Sequence, residues 1–174
     1  MEPLPPPRPT YAVITLSDRA ANGERADEAG PAACAMLSEA LGCAPTEALV
    51  LPDERSAIEA ALKRLSDDAG CRLIVTTGGT GLSPRDVTPE ATRAVIDREV
   101  PGLAEAIRAA GVKHTPFAVL SRGLCGLRGG PRGECLIINL SGSPKAVREQ
   151  LAVVLPVLPH ALEQAAGALQ DCAQ

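Results

Sequence analysis

The chain has 174 residues, 45% hydrophobic and 22% charged, which suits one ordinary globular domain and excludes wholesale disorder. Aromatic residues are 1% of the chain, Tyr11 and Phe117 alone, so any core must be built from Ala, Val, Leu and Ile. Seventeen Lys and Arg against 21 Asp and Glu give a net charge of −4, without the basic excess or stacking rings of a nucleic-acid binder.

Residues 1–9, Met1-Glu2-Pro3-Leu4-Pro5-Pro6-Pro7-Arg8-Pro9, read as a polyproline-type flexible extension. They have neither the basic start nor the apolar centre of a secretory signal. The next residues, 11–16, form a β-branched run that predicts a buried strand, ending in Ser17-Asp18-Arg19. Residues 30–41 carry helical spacing and stop at Gly42, a C-cap signal. A second strand is expected over 46–51, closed by Pro52-Asp53-Glu54, and an amphipathic helix over 56–65 with Ile58, Leu62 and Leu65 on one face.

The clearest buried strand is 71–77, followed directly by Gly78-Gly79-Thr80-Gly81. Thr88 reads as an N-cap with Pro89 at the first helical position, opening a helix to about residue 98. A helix over 102–110 and strands over 117–120 and 135–140 come next, the strands flanking a Gly-rich segment, 123–133. Ser143-Pro144 starts the last helix, which must kink or break near Pro156 and Pro159. The longest apolar stretch, 151–158, contains Pro156 and falls short of the ~18 residues of a membrane span. The protein is therefore placed in the cytoplasm.

Strands alternating with helices predict a three-layer α/β/α sandwich. Strands 117–120 and 135–140 have no helix between them, so the mostly parallel sheet should be mixed. One domain is expected over 10–170. The six cysteines, Cys34, Cys43, Cys71, Cys125, Cys135 and Cys172, include no C-x-x-C pair and no zinc spacing. They read as small buried hydrophobes plus a stray surface thiol. His114 and His160 lack partners for a triad, and no G-x-S-x-G elbow is present.

In open α/β sheets ligands sit beyond the C-terminal strand ends. Four polar clusters share that rim: Ser17-Asp18-Arg19, Pro52-Asp53-Glu54, Thr77 to Gly81, and Asn139-Leu140-Ser141-Gly142-Ser143. Gly78, Gly79 and Gly81 would let backbone N–H groups approach a phosphate, although such loops are also ordinary turns. The loop is neither a Walker A sequence nor a dinucleotide fingerprint. Asp53 and Asp86 near a phosphate site suggest Mg²⁺; the plainer alternative is that each caps a helix.

Thr76-Thr77-Gly78-Gly79-Thr80-Gly81, followed by Arg85-Asp86-Val87-Thr88-Pro89-Glu90-Ala91-Thr92, resembles the signature of the molybdopterin adenylyltransferase family of molybdenum cofactor biosynthesis. The likeness extends through Pro116-Phe117-Ala118-Val119-Leu120-Ser121-Arg122 and Ile137-Ile138-Asn139-Leu140-Ser141-Gly142-Ser143-Pro144-Lys145. It implies a trimeric α/β/α domain that couples Mg²⁺-ATP to the terminal phosphate of molybdopterin and releases pyrophosphate. By resemblance, Asp53 and Asp86 are the catalytic, metal-binding acids. Ser17, Asp18, Thr77, Gly78, Gly79, Thr80, Gly81, Arg85, Ser121, Asn139, Gly142 and Ser143 match positions around the nucleotide and pterin phosphates. A molybdenum insertase is the candidate partner. The competing readings are a non-catalytic molybdopterin-binding or interaction module of the same fold, and a nucleotide-amide hydrolase, for whose second domain this chain has no room. Two departures stand out: Ser141 replaces a Pro common in relatives, and the segment 128–133 looks a few residues longer.

Overall fold

The computed structural model describes residues 9–167. Within them the chain forms six strands and seven α-helices. The residues expected to form the proline-rich arm, apart from Pro9, lie outside this range, as does Cys172. Strands β1 (Tyr11–Leu16), β2 (Glu47–Leu51), β3 (Leu73–Thr77), β4 (Arg98–Glu99), β5 (Cys125–Gly130) and β6 (Gly133–Leu140) make one sheet, in the order β2-β1-β3-β6-β5-β4. The pairs β2–β1, β1–β3 and β3–β6 are parallel; β6–β5 and β5–β4 are antiparallel.

Side-chain alternation along each strand decides which layer each residue feeds. Tyr11, Val13, Leu73, Val75, Leu136 and Ile138 pack on one face, against α2 (Ala29–Leu41), α5 (Pro101–Val112), α6 (Pro144–Val154) and α7 (Leu158–Ala165). Ala12, Ile14, Ile74 and Ile137 pack on the other, against α3 (Arg55–Lys63), a π-helical turn over Arg64–Asp68 and α4 (Thr88–Arg93). Both faces are covered, so β1 and β3 are buried throughout and read as mainly apolar, β-branched runs, polar only at Thr15, Thr76 and Thr77. A short helix, α1 (Asp18–Ala21), follows β1 directly. Among the described residues no helix is long and apolar enough to cross a membrane.

Three expectations are corrected. Pro116–Leu120 is an exposed 3₁₀ turn, not a strand. The Thr115 hydroxyl accepts from the Phe117 N–H and Pro116 fixes the first turn, so the segment closes on itself. The antiparallel partner of β6 is instead the Gly-rich β5, joined to it by a two-residue turn at Pro131-Arg132. Pairing overrides poor strand composition there, and the longer segment is the tip of this hairpin. The third correction concerns α4, which ends at Arg93 because Arg98–Glu99 turns onto the sheet edge beside β5. Thr88 is its first residue, with Val87 as cap, and the Thr88 hydroxyl bonds elsewhere.

The last helix breaks as expected, into α6 and α7. Gln150 holds Ser141 reciprocally: its Oε1 accepts from the Ser141 N–H at 2.8 Å and its Nε2 donates to Ser141 Oγ at 2.9 Å. That pair supplies the rigidity a proline would otherwise give.

Cys71, Cys125 and Cys135 are buried, and Cys34 and Cys43 half-buried. Burial pushes the Cys125 thiol up to about 12 and moves the Cys135 thiol in the same direction. Alkylation of the native protein under mildly alkaline conditions should therefore spare Cys71, Cys125 and Cys135, and mass spectrometry should find them labelled only after denaturation. Equal labelling before and after denaturation would contradict the packing.

Candidate functional site

The connection leaving β1 crosses one face of the sheet to β2, whereas the connection leaving β3 crosses the opposite face towards β6. Such a divergence opens a crevice at the strand ends. A cleft of about 440 Å³ lies there, lined by Ser17, Asp53, Thr77, Gly78, Gly79, Thr80, Gly81, Asp86, Gly142 and Ser143, together with Thr15 and the segment 25–29. A larger cleft, about 680 Å³, sits at the other end of the strands beside Arg72, Glu134 and α7, away from the Gly-rich loop.

After β3 the chain turns through Gly78 at φ 102° and Gly79 at φ 62°, conformations that favour glycine. A Cβ on Gly78 would overlap the Leu16 carbonyl, and one on Gly79 would overlap Thr88 Oγ1. The loop's carbonyls are all engaged. Thr88 Oγ1 donates to Gly78 O at 2.9 Å and the Thr88 N–H to Gly79 O at 3.1 Å. The Arg122 N–H donates to Thr80 O at 2.9 Å and Arg122 Nε to Gly81 O at 2.7 Å. By contrast, the N–H groups of Gly79, Thr80 and Gly81 meet no acceptor among the described residues. Successive donors of this kind form an anion-binding nest. Thr77 Oγ1, also lining the cleft, is buried without a partner. A polar ligand would satisfy both.

Asp53 and Asp86 face this nest. Asp53 Oδ2 accepts from the Asp18 N–H at 3.0 Å, and Asp86 Oδ2 from the Ser83 N–H at 2.9 Å. Neither carboxylate caps a downstream helix: the caps of α3 and α4 are Glu54 and Val87. Each Oδ1 is without a hydrogen bond among the described residues. Burial raises the Asp53 carboxyl above its ordinary value, and the charges of Asp18 and Asp86 push the same way. Asp27 and Glu28 add further negative charge, with Arg25 the one cation lining the cleft among the described residues. Four carboxylates against one cation repel a polyanion unless a metal comes with it. Two carboxylate oxygens suit Mg²⁺, which keeps several waters and takes its other ligands from phosphates. Among the described residues no cluster of three or more candidate ligands forms a closed protein cage.

The remaining candidates separate by position. Ser17 caps α1, its Oγ accepting from the Ala20 N–H, and Ser143 caps α6 in the same way through Ala146. Gly142 lies against Gly78, where a Cβ would come within 3.1 Å of its Cα. Asp18 stands on the exposed rim, its carboxyl held low by the Asp53 N–H and by Arg85. Arg85 pairs with both Asp18 and Glu54, at 2.8 and 3.1 Å, rather than lining the cleft. Ser121 opens onto a neighbouring cavity of about 280 Å³ with Arg93, Arg108 and Arg122. Asn139 does not reach the cleft. It is buried, donating to Thr76 and Thr92 and accepting from the Leu124 N–H.

Sequence reasoning passed over Arg122 and the segment 25–29. Asp27 carried a readable signal, since its carboxylate accepts from the Ala29 and Gly30 N–H groups at the start of α2. Arg122 stands in the segment Pro116 to Arg122 that carries the family likeness, but its contacts were not legible because its partners lie up to 42 positions away in the chain.

Residues 12–160 match the family described as a probable molybdopterin binding domain. The chain is 42% identical over 157 residues to a molybdopterin adenylyltransferase of Helicobacter pylori, covering 89% of this chain and 86% of that protein. It is 40% identical over 153 residues to the molybdenum cofactor synthesis protein cinnamon of Drosophila melanogaster, covering 88% of this chain but only 25% of that longer protein. Among solved structures, the molybdopterin biosynthesis enzyme MoaB of Thermus thermophilus aligns with TM-score 0.80 and 48% identity, over 91% of this chain and 96% of that one.

Proposed function

Since the chain belongs to the probable molybdopterin binding domain family, we propose that it is a molybdopterin adenylyltransferase of molybdenum cofactor biosynthesis. Its substrates are ATP and molybdopterin. The terminal phosphate of molybdopterin attacks the α-phosphorus of ATP, the α–β bridging bond breaks, and pyrophosphate leaves. The observation that carries this reading is the nest of three N–H groups at Gly79, Thr80 and Gly81 facing the Asp53 and Asp86 carboxylates.

The residues present suit a reaction that needs little proton transfer. A phosphate monoester has a second pKa of about 6, so the nucleophile is already ionised at neutral pH and no general base is called for. The chain's task is to hold two polyanions in line. The nest and the capped N-terminus of α6 at Ser143 receive ATP phosphate oxygens. Thr77 supplies a hydroxyl. Asp53 and Asp86 would hold Mg²⁺, which neutralises charge building between the phosphates. Ser121, with Arg93 and Arg108, lines the cavity that receives the pterin substrate. Asp18 and Arg85 orient the rim. Incubating the protein with ATP, Mg²⁺ and molybdopterin should release pyrophosphate stoichiometrically with adenylylated molybdopterin. Binding of molybdopterin without pyrophosphate would favour a binding-only module instead.

The assembly is a cytoplasmic homotrimer that passes its product to a molybdenum insertase. Support for self-association comes from the 3₁₀ turn, where Phe117 is 74% and Val119 63% exposed, beside the half-exposed Leu120. Side chains this apolar are seldom left in water together. Light scattering should return three chain masses for the wild type and a smaller species for Phe117→Asp. A wild-type monomer would contradict the assignment.

A further inference from the structure

We propose that Arg122 is a positioning residue for adenylyl transfer, its guanidinium holding the segment 81–86 in the conformation that presents the Asp86 carboxylate to the nucleotide. This inference rests on the adenylyltransferase reading. Arg122 does not line the phosphate cleft; it borders the neighbouring cavity instead. It works from behind the loop. Nε donates to Gly81 O at 2.7 Å, one terminal nitrogen donates to Asp86 O at 2.5 Å, and the other pairs with the Glu90 carboxylate on α4. Its own N–H donates to Thr80 O.

One planar group thus ties the start of the loop, its end and the helix that follows. Between the ties the segment is exposed; the Asp86 N–H to Ser83 O, the Ser83 N–H to Asp86 Oδ2 and the Arg85 N–H to Ser83 Oγ shape its turn, and the Arg85 side chain pairs across the rim with Asp18 and Glu54. The turn bonds do not anchor the segment, and the Arg85 pairs are exposed and hold it only from the solvent side. Arg122 supplies an anchor through a fork of fixed geometry, with three separate acceptors in three directions. A lysine offers donors from one point only and cannot reach all three. The Arg122 N–H also occupies the Thr80 carbonyl, which leaves the Gly81 N–H of that same peptide pointing the other way, without a protein acceptor among the described residues.

The test compares wild type, Arg122→Lys and Arg122→Ala, with and without millimolar methylguanidinium. Steady-state turnover and Mg²⁺-dependent binding of a non-hydrolysable ATP analogue are both measured. Arg122→Ala should lose roughly thirtyfold or more in kcat/KM for ATP. It should also need more Mg²⁺ for half-maximal analogue binding, a readout taken without molybdopterin and so independent of the place Arg122 has in the neighbouring cavity. Methylguanidinium should restore a substantial part of both, which added sodium chloride should not. A residue needed only for stability would leave the Mg²⁺ demand of the folded variant unchanged, so that demand is the deciding readout. Should Arg122→Ala fail to fold, Arg122→Lys decides: a near wild-type melting temperature with raised Mg²⁺ demand supports positioning, and wild-type kinetics overturn it. Unchanged kinetics in Arg122→Ala, or loss without rescue, likewise overturn it. If wild type binds the analogue but never turns over, the adenylyltransferase reading fails, and the Mg²⁺ dependence of binding still decides whether Arg122 positions Asp86.

Discussion

Asp86→Asn is expected to lower adenylyl transfer by about a hundredfold or more, with little change in melting temperature. Asn keeps the size of the side chain, and its Oδ1 can accept the Ser83 N–H bond now made by Asp86 Oδ2. What it loses is the negative charge that the carboxylate brings to the cleft. Asp53→Asn should lose activity similarly, for the same reason, while its stability moves the other way. Burial, helped by the charges of Asp18 and Asp86, raises the Asp53 carboxyl in the folded protein and outweighs the opposing hydrogen bond from the Asp18 N–H and the weaker pull of Arg85. A carboxyl whose folded value is raised binds its proton more tightly in the native state. Its ionisation therefore opposes folding at neutral pH, and that penalty fades as pH falls through the raised value. Asp53→Asn removes the penalty and can still accept from the Asp18 N–H. It should melt at or above wild type at neutral pH, with the advantage shrinking in acid. Calorimetry across pH checks the sign, and a neutral-pH melting temperature well below wild type would show that Asp53 is a structural group.

The second large effect belongs to Gly79→Val. The residue has φ 62°, where a β-branched side chain is strained, and its Cβ would overlap Thr88 Oγ1 and approach Asp53 Oδ1 at 3.1 Å. Thr88 would have to leave Gly78 O, and the loop would lose the anchor that turns its N–H groups into the cleft. Nucleotide binding should become undetectable by calorimetry, and stability should drop by about 2–4 kcal/mol. Sequence reasoning alone expects a change confined to binding. The stability cost follows from the buried Thr88 contact, which only the fold reveals. Gly23→Ala is the control, because Gly23 has φ 75° with open space around it. That variant should lose about 1 kcal/mol to strain and keep full nucleotide affinity. If Gly79→Val binds ATP as the wild type does, the loop is only a turn.

Particular residues show what could be read in advance. The buried strands β1 and β3 were legible because both faces are covered, which leaves a mainly apolar, β-branched run without alternation. The strand-end clusters were legible because open α/β sheets place ligands there, and the cleft collects Ser17, Asp53, Thr77, Gly79, Asp86 and Ser143. The segment Pro116–Leu120 misled, since apolar residues without periodicity fit a strand as well as a short turn. β5 was hidden by its glycines, and only its partner β6 makes it a strand. Asn139 misled differently. It sits in a rim motif, but strand alternation points its side chain into the layer with Thr92. Burial of that kind is a property of the sheet, not of the motif.

The most direct test of the central claim is a label-transfer measurement in a single mixture of protein, Mg²⁺, molybdopterin and ATP carrying label on either its α- or its γ-phosphorus. If Gly79, Thr80, Gly81, Asp53 and Asp86 hold ATP for attack at the α-phosphorus, α-label appears on the pterin product and γ-label only in pyrophosphate. Both should vanish together in Asp86→Asn. Transfer of γ-label to the pterin, or no transfer of either label by wild type, would contradict the account.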